Sequence, residues 1–146
     1  MRALLQRVTG ATVRVDGQVI GAISQGWTVL LGIGRADTGA HAIRLAERVA
    51  QLRGFDDEAG RLNRSLLDVG GAALVVSQVT LYADLTRGRR PSFAEAAPLD
   101  QAEGLVDEFV ARLRALGVQV ETGRFRAHMI VEIANDGPVT FLLTEE

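Results

Sequence analysis

Two short stretches hold the residue types that could do chemistry. Ser77-Gln78-Val79-Thr80 places two hydroxyls and an amide directly after Ala72-Ala73-Leu74-Val75-Val76. That apolar run reads as a buried strand. Polar groups at the end of a buried strand must be hydrogen-bonded or they cost free energy. They either cap the strand end or line a ligand site, and the tetrapeptide alone leaves both open. The second stretch, Asn135-Asp136-Gly137-Pro138-Val139-Thr140, is a polar hinge between two apolar runs. Gly137 tolerates backbone angles closed to other residues, and Pro138 fixes φ and donates no hydrogen bond. Such a pair can point two successive carbonyl oxygens the same way with no side chain between them. Taken alone, the hexapeptide reads as a tight turn joining two strands.

The supply of conventional catalytic groups is thin. There are two histidines. His41 falls in a helical stretch and reads as an exposed helix residue. His128 precedes Met129, and alternation along a strand would put the two on opposite faces. If Met129 lines a site, His128 faces away. Neither Ser77 nor Thr80 then has an evident base to activate it. With no cysteine and no HExxH-like pair, metal ligation has no support in the sequence, and no cofactor is expected.

The chain has 146 residues, 47% of them hydrophobic, which suits one domain over 1–146. A chain of that size can bury roughly 68–70% of its unfolded surface. No segment approaches the roughly 20 apolar residues of a membrane span. No secretory leader is evident, and the absence of cysteine fits a cytoplasmic protein. The net charge of −2 argues against coating nucleic acid non-specifically. It leaves room for a local basic patch, and Arg87, Arg89 and Arg90 around Gly88 are candidates for one or for a solvated loop.

These residues need elements to position them. Residues 2–8 read as a strand. Residues 12–15 and 18–23 flank Asp16-Gly17, a strong hairpin signal. Residues 27–33 read as a buried strand. Asp37-Thr38 offers N-cap chemistry for a helix with Ile43, Ala46, Val49 and Ala50 inward. Residues 52–55 suggest a short strand and residues 56–60 a solvated acidic turn. Residues 73–82 form the strand bearing the first motif. A helix over 101–116 buries Ala102, Leu105, Val106, Phe109, Val110 and Leu113, with Asp100 and Glu103 as a capping box and Gly117 after its end. Residues 129–133 and 139–143 are the last two strands. The pattern is α/β, strand-rich, with two main helices.

Read together, the motifs resemble the D-aminoacyl-tRNA deacylases, in which a Ser-Gln-x-Thr motif and a Gly-Pro motif shape one site. The resemblance extends over residues 1–8, 13–17, 26–33, 90–93, 101–103 and 123–129. Val79 stands where Phe is usual, and Arg126 where a small residue is usual. The resemblance implies mixed and antiparallel sheets, barrel-like, packed with the helices. It implies hydrolysis of the ester joining a D-amino acid to the 3′ end of tRNA, with Gly-tRNA(Ala) also accepted. Ser77, Gln78, Val79 and Thr80 would form the catalytic segment, its N–H groups around Gln78 and Val79 binding the ester carbonyl. Gly137 and Pro138, joined by a cis peptide, would enter the site of the other subunit of a homodimer and reject L-amino acids. Arg7 would brace that loop; the alternative for it is a strand-edge surface charge. Phe125 and Met129 would contact the terminal adenosine or wall the site. Two further readings of the same motifs are an L-alanyl-tRNA deacylase with a trans Gly-Pro bond and a non-catalytic dimeric nucleic-acid-binding module.

Overall fold

The computed structural model describes all 146 residues. β1 is one long strand, Arg2–Val15, where the sequence suggested two pieces. Its inward residues shift phase midway, from Ala3 and Leu5 to Val8, Ala11, Val13 and Val15. The register against β8 slips on both sides of Val8, so the strand bends there and continues. Asp16 and Gly17 both take positive φ, which makes the expected tight turn into β2, Gln18–Ile23. β3, Gly26–Gly32, pairs antiparallel with the first half of β1, while β2 pairs with the second half.

α1 spans Gly39–Gln51 with Thr38 at its N-cap. Its buried face is Ala42, Leu45, Ala46, Val49 and Ala50, and Ile43 is exposed. The expected face was thus rotated, because Ala42 and Leu45 complete the stripe that meets α3. His41 is no idle surface residue: its Nδ1 accepts the Thr38 N–H at 3.0 Å and closes the first turn. A small hairpin follows, β4 at Phe55–Asp56 and β5 at Leu62–Arg64. The acidic turn between them is held by Asp57 Oδ1, which accepts from the N–H groups of Ala59 and Arg61. α2 is a single turn, Leu66–Val69, capped by Ser65.

β6, Ala72–Ser77, lies parallel to β3, and β7, Gln119–Thr122, lies parallel to β6. The strand ends at Ser77 rather than running on to Tyr82, and Val79–Tyr82 is a 3₁₀ turn. α3, Leu99–Ala115, starts from Pro98, not from an Asp100 capping box. Pro98 has no side-chain cap to offer, and its carbonyl accepts the Ala102 N–H at 2.9 Å as the first bond of the helix. β8 is one strand, Ile130–Thr144, antiparallel to β1 along its length, where two were expected.

The sheet order is β2-β1-β3-β6-β7, with β8 on the other edge of β1. It nearly closes: a Cβ added to Gly21 of β2 would lie 3.0 Å from the Thr122 carbonyl of β7. β6 serves both layers of this barrel-like fold. Ala73 and Val75 face α1 and α3 together with Trp27, Leu45, Phe109 and Leu113. Ala72, Leu74 and Val76 face the barrel interior with Val8, Ala11, Val13 and Ile23. A strand buried on both faces has to be apolar throughout, which explains its unbroken run. No helix is long and apolar enough to cross a membrane.

Candidate active site

Where β6 runs out, its sequence turns polar and its chain turns back. The Gln78 N–H donates to the Leu31 carbonyl at 2.8 Å, the last rung between β6 and β3. The 3₁₀ turn then folds over Gly32. A Cβ at Gly32 would stand 2.9 Å from Leu81 Cβ and 3.1 Å from the Gln78 carbonyl, so the absent side chain lets the turn sit there. The expectation that Gln78 N–H would be a free donor is therefore corrected: it is spent inside the sheet. The first N–H groups of a helical turn have no acceptor within it, which leaves those of Val79 and Thr80. Both residues are exposed. The Gln78 side-chain amide donates to Thr80 Oγ1 and holds that hydroxyl in place, leaving its proton to donate elsewhere.

Beside this turn lies a cavity of about 230 Å³. Ser77, Gln78 and Val79 form one wall, and Phe125 and Met129 another, so five of the expected site residues meet here. Thr80 stands outside the cavity, tied to its rim through Gln78. Met129 lies close against the backbone at Gly123, where a Cβ would come within 2.5 Å of its Sδ. His128 is exposed and does not line the cavity, and it precedes β8 rather than lying within a strand. No carboxylate, histidine or lysine lines the cavity.

The sequence reading missed part of the wall. Leu99, Ala102 and Val106 of α3 line the cavity, as do Leu31 and Ile33. Ala102 and Val106 were read as core, and the signal against that was their place at the margin of the helix's apolar stripe. Arg126 also lines the cavity. It takes a left-handed φ of 65°, sends its guanidinium to Asp100 at 2.7 Å, and lies 5.8 Å from the Phe125 ring centre. The bulkier residue is thus accommodated by turning outward to α3.

Gly137 and Pro138 lie elsewhere. On β1 two steps separate Gln6 from Val8, whereas on β8 five separate Asn135 from Thr140. The three surplus residues, Asp136, Gly137 and Pro138, loop out and are exposed, and the Gly137–Pro138 peptide is cis. Arg7 is buried beneath them at 7% exposure, which corrects the surface-charge alternative. Its Nε donates to the Asp136 carbonyl at 3.3 Å, and its Nη1 to the Gly54 carbonyl at 3.2 Å and to Asp56 at 3.1 Å. Asn135, which the sequence reading did not single out, donates through Nδ2 to the carbonyls of Arg7 and Val139, pinning the neck of the loop.

Within one chain the loop cannot reach the cavity. Arg7 pairs with Trp27 at the start of β3, while Ser77 pairs with Leu31 near its end. Four residues along the strands and three strand spacings across them amount to roughly 20 Å.

The D-Tyr-tRNA(Tyr) deacylase family model matches residues 4–144. The chain belongs to this family. A D-aminoacyl-tRNA deacylase of Thermomicrobium roseum is 62% identical over 143 residues, covering 98% of this chain and 93% of the relative. That of Symbiobacterium thermophilum is 58% identical over 146 residues, covering 100% and 97%. Among solved structures, one described as a c-Myc DNA unwinding element binding protein superimposes with a TM-score of 0.94 at 40% identity, covering 100% of this chain and 99% of that one. A "probable eukaryotic D-amino acid tRNA deacylase" superimposes with a TM-score of 0.84 at 17% identity, a likeness of fold. As a member of the deacylase family, the chain is a hydrolase of aminoacyl-tRNA esters.

Proposed function

We propose that this deacylase cleaves D-amino acids from tRNA in a site completed by a second copy of the chain, and so removes mirror-image residues before translation uses them. The observation that carries this reading is an apolar cavity with unpartnered N–H groups at its lip and no ionisable base in its wall. Such a site binds a nucleoside and polarises a carbonyl, but it cannot deprotonate a nucleophile of its own. The substrate supplies what is missing. An aminoacyl ester on a ribose carries a hydroxyl on the adjacent carbon. Water adds to the ester carbonyl, passing its proton through that hydroxyl to the departing ribose oxygen. A C–O bond to water forms and the C–O bond to ribose breaks. The Val79 and Thr80 N–H groups receive the developing oxyanion, where one such donor is worth about 10²–10³ in rate. Thr80 orients water or ester through its hydroxyl and is not acylated. Phe125 and Met129 hold the terminal adenosine.

Chirality is set by the loop of the partner subunit. The carbonyl oxygens of Gly137 and Pro138 accept charge-assisted hydrogen bonds from the α-ammonium. With ammonium and ester fixed, a D side chain points to solvent and an L side chain meets main-chain atoms. Glycine offers nothing to clash, so Gly-tRNA(Ala) is also a substrate. Homodimerisation is supported by three features: the loop is exposed, it lies out of reach of its own cavity, and β8 presents an unpaired edge with Leu142 and Ile130 more than half exposed. The reaction belongs in the cytoplasm, where charged tRNA is used.

The test is a comparison of release from D-Tyr-tRNA, L-Tyr-tRNA, L-Ala-tRNA and Gly-tRNA(Ala) by the purified protein. Turnover of the first and last with at least hundredfold discrimination against both L-esters is expected. Preferential release of L-alanine overturns the chiral assignment. The name of the structural neighbour at 40% identity favours one further reading, a DNA-binding module on this fold. Binding of duplex DNA without turnover of any ester would establish it.

A further inference from the structure

The segment after the catalytic turn carries a charge pattern that the hydrolytic mechanism does not use. Asp84 and Ser92 pair backbone to backbone in both directions, at 2.7 and 3.1 Å. They close the base of a finger, residues 85–91, that is exposed throughout. Both legs of the finger are rooted in the cavity rim. Val79, five residues before the base, and Leu99, seven after it, line the cavity. The Ala97 N–H is fixed to the carbonyl of Ile33, another lining residue, at 3.0 Å.

The finger holds Arg87, Arg89 and Arg90 and no acidic residue. Seven of the chain's sixteen basic residues, Arg7, Arg14, Arg44, Arg48, Arg64, Arg112 and Arg126, enter ion pairs. The three on the finger are not among them. Asp84, the carboxylate within the closing pair, is turned toward Thr86, accepting from N–H at 2.9 Å and from Oγ1 at 2.6 Å. A chain of net charge −2 thus concentrates three uncommitted guanidinium groups within four residues, on a finger whose two legs lead to Val79 and Leu99 in the wall of a cavity lined by no carboxylate. Mutual repulsion makes such a cluster unfavourable unless an anion answers it. Guanidinium forks match phosphate oxygens in geometry and shed water readily.

We infer that residues 85–91 form a clamp for the RNA backbone, with Arg87, Arg89 and Arg90 holding the phosphodiesters that lead to the terminal nucleoside in the cavity. This rests on the tRNA-ester reading above and adds the surface that grips the polynucleotide. None of the three arginines lines the cavity, so the clamp contributes to capture of the whole tRNA and not to the ester chemistry.

The experiment replaces the three together, Arg87→Gln, Arg89→Gln and Arg90→Gln, and measures binding of fluorescently labelled deacylated tRNA against NaCl concentration. Three lost phosphate contacts to a single strand reduce the log–log salt slope by about 2, equivalent to roughly 16-fold in affinity across a fourfold change in salt. Hydrolysis of D-tyrosyl-adenosine, which has no phosphate to grip, is expected at the same rate in both proteins. An unchanged slope overturns the clamp. So does an equal loss on the nucleoside ester, which would make the finger part of the cavity's own structure. If the slope falls by about 2 in the variant yet the native protein cleaves neither ester, the clamp stands and the deacylase reading falls.

Discussion

At the scale of single residues, the division of labour between Thr80 and Arg7 can be tested by substitution. Thr80 Oγ1 is held by the Gln78 amide and has no base beside it. Thr80→Val is expected to lower kcat by about 10²-fold with KM little changed, because the lost contact matters most in the transition state. Thr80→Ser should restore most of the rate. Acid quench with mass spectrometry should show no aminoacyl adduct on the native protein, and an adduct at Thr80 would replace the orienting role with covalent catalysis. Arg7 is a buried cation donating to two carbonyls and Asp56. Arg7→Gln should lower stability by about 2 kcal/mol in urea unfolding and slacken the Gly-Pro loop, so kcat falls as well. The sequence offered Arg7 as a brace, with a strand-edge surface charge as the alternative. A periodic strand pattern cannot tell a buried charge from an exposed one when its partners lie far along the chain, at Gly54, Asp56 and Asp136.

At the scale of elements, the 3₁₀ turn and its seat on Gly32 decide where the N–H donors point. Gly32→Ala puts a methyl 2.9 Å from Leu81 Cβ, against a backbone-proximal atom that cannot swing away. The expected result is a loss of about 1–3 kcal/mol in stability together with a larger proportional fall in kcat/KM, compared by urea unfolding and by turnover of D-Tyr-tRNA. A fall in stability without a fall in turnover would show that the turn's position does not set the rate. Strand and helix identities were legible from local patterning: the Asp16-Gly17 turn, the apolar run of β6 and the heptad-like stripe of α3. Their limits were not. Ser77-Gln78-Val79-Thr80 continues a strand by propensity, and only the packing of the turn on Gly32, 45 residues or more upstream in sequence, ends it. β8 was read as two strands because Gly137 and Pro138 interrupt its pattern, yet pairing with β1 on both sides of the loop makes it one. Helix α3 begins at Leu99 because Pro98 precedes it, which left Asp100 free to reach Arg126.

At the scale of the molecule, the end of β8 is clamped to α1 by Glu145, whose carboxylate bonds Arg44 at 2.6 Å and Arg48 at 2.9 Å. The Arg44 bond first, and the Arg48 bond second, hold its pKa below the usual 4.5. The folded chain therefore stays deprotonated there to lower pH than the unfolded chain. The stability so gained is complete above the usual value and disappears as pH falls through the lowered one. Glu145→Gln should lower Tm at neutral pH, and the difference from the native protein should vanish in acid. A difference that persists in acid would assign the effect to packing.

The family was readable in the sequence, and so were five residues of the cavity wall, Ser77, Gln78, Val79, Phe125 and Met129, whereas the part supplied by α3 and β3 was not. What no single-chain pattern conveys is the roughly 20 Å between that cavity and the Gly137–Pro138 loop, which only the sheet order reveals. The proposed mechanism requires a second subunit to close that gap. The most direct measurement mixes two impaired proteins, Thr80→Val and a variant lacking Asp136, Gly137 and Pro138, under subunit exchange. Each heterodimer then holds one intact site, and D-Tyr-tRNA hydrolysis should return to about a quarter of the native level per chain. Recovery of no activity, from proteins shown to have exchanged subunits, would contradict a site shared between two copies of the chain.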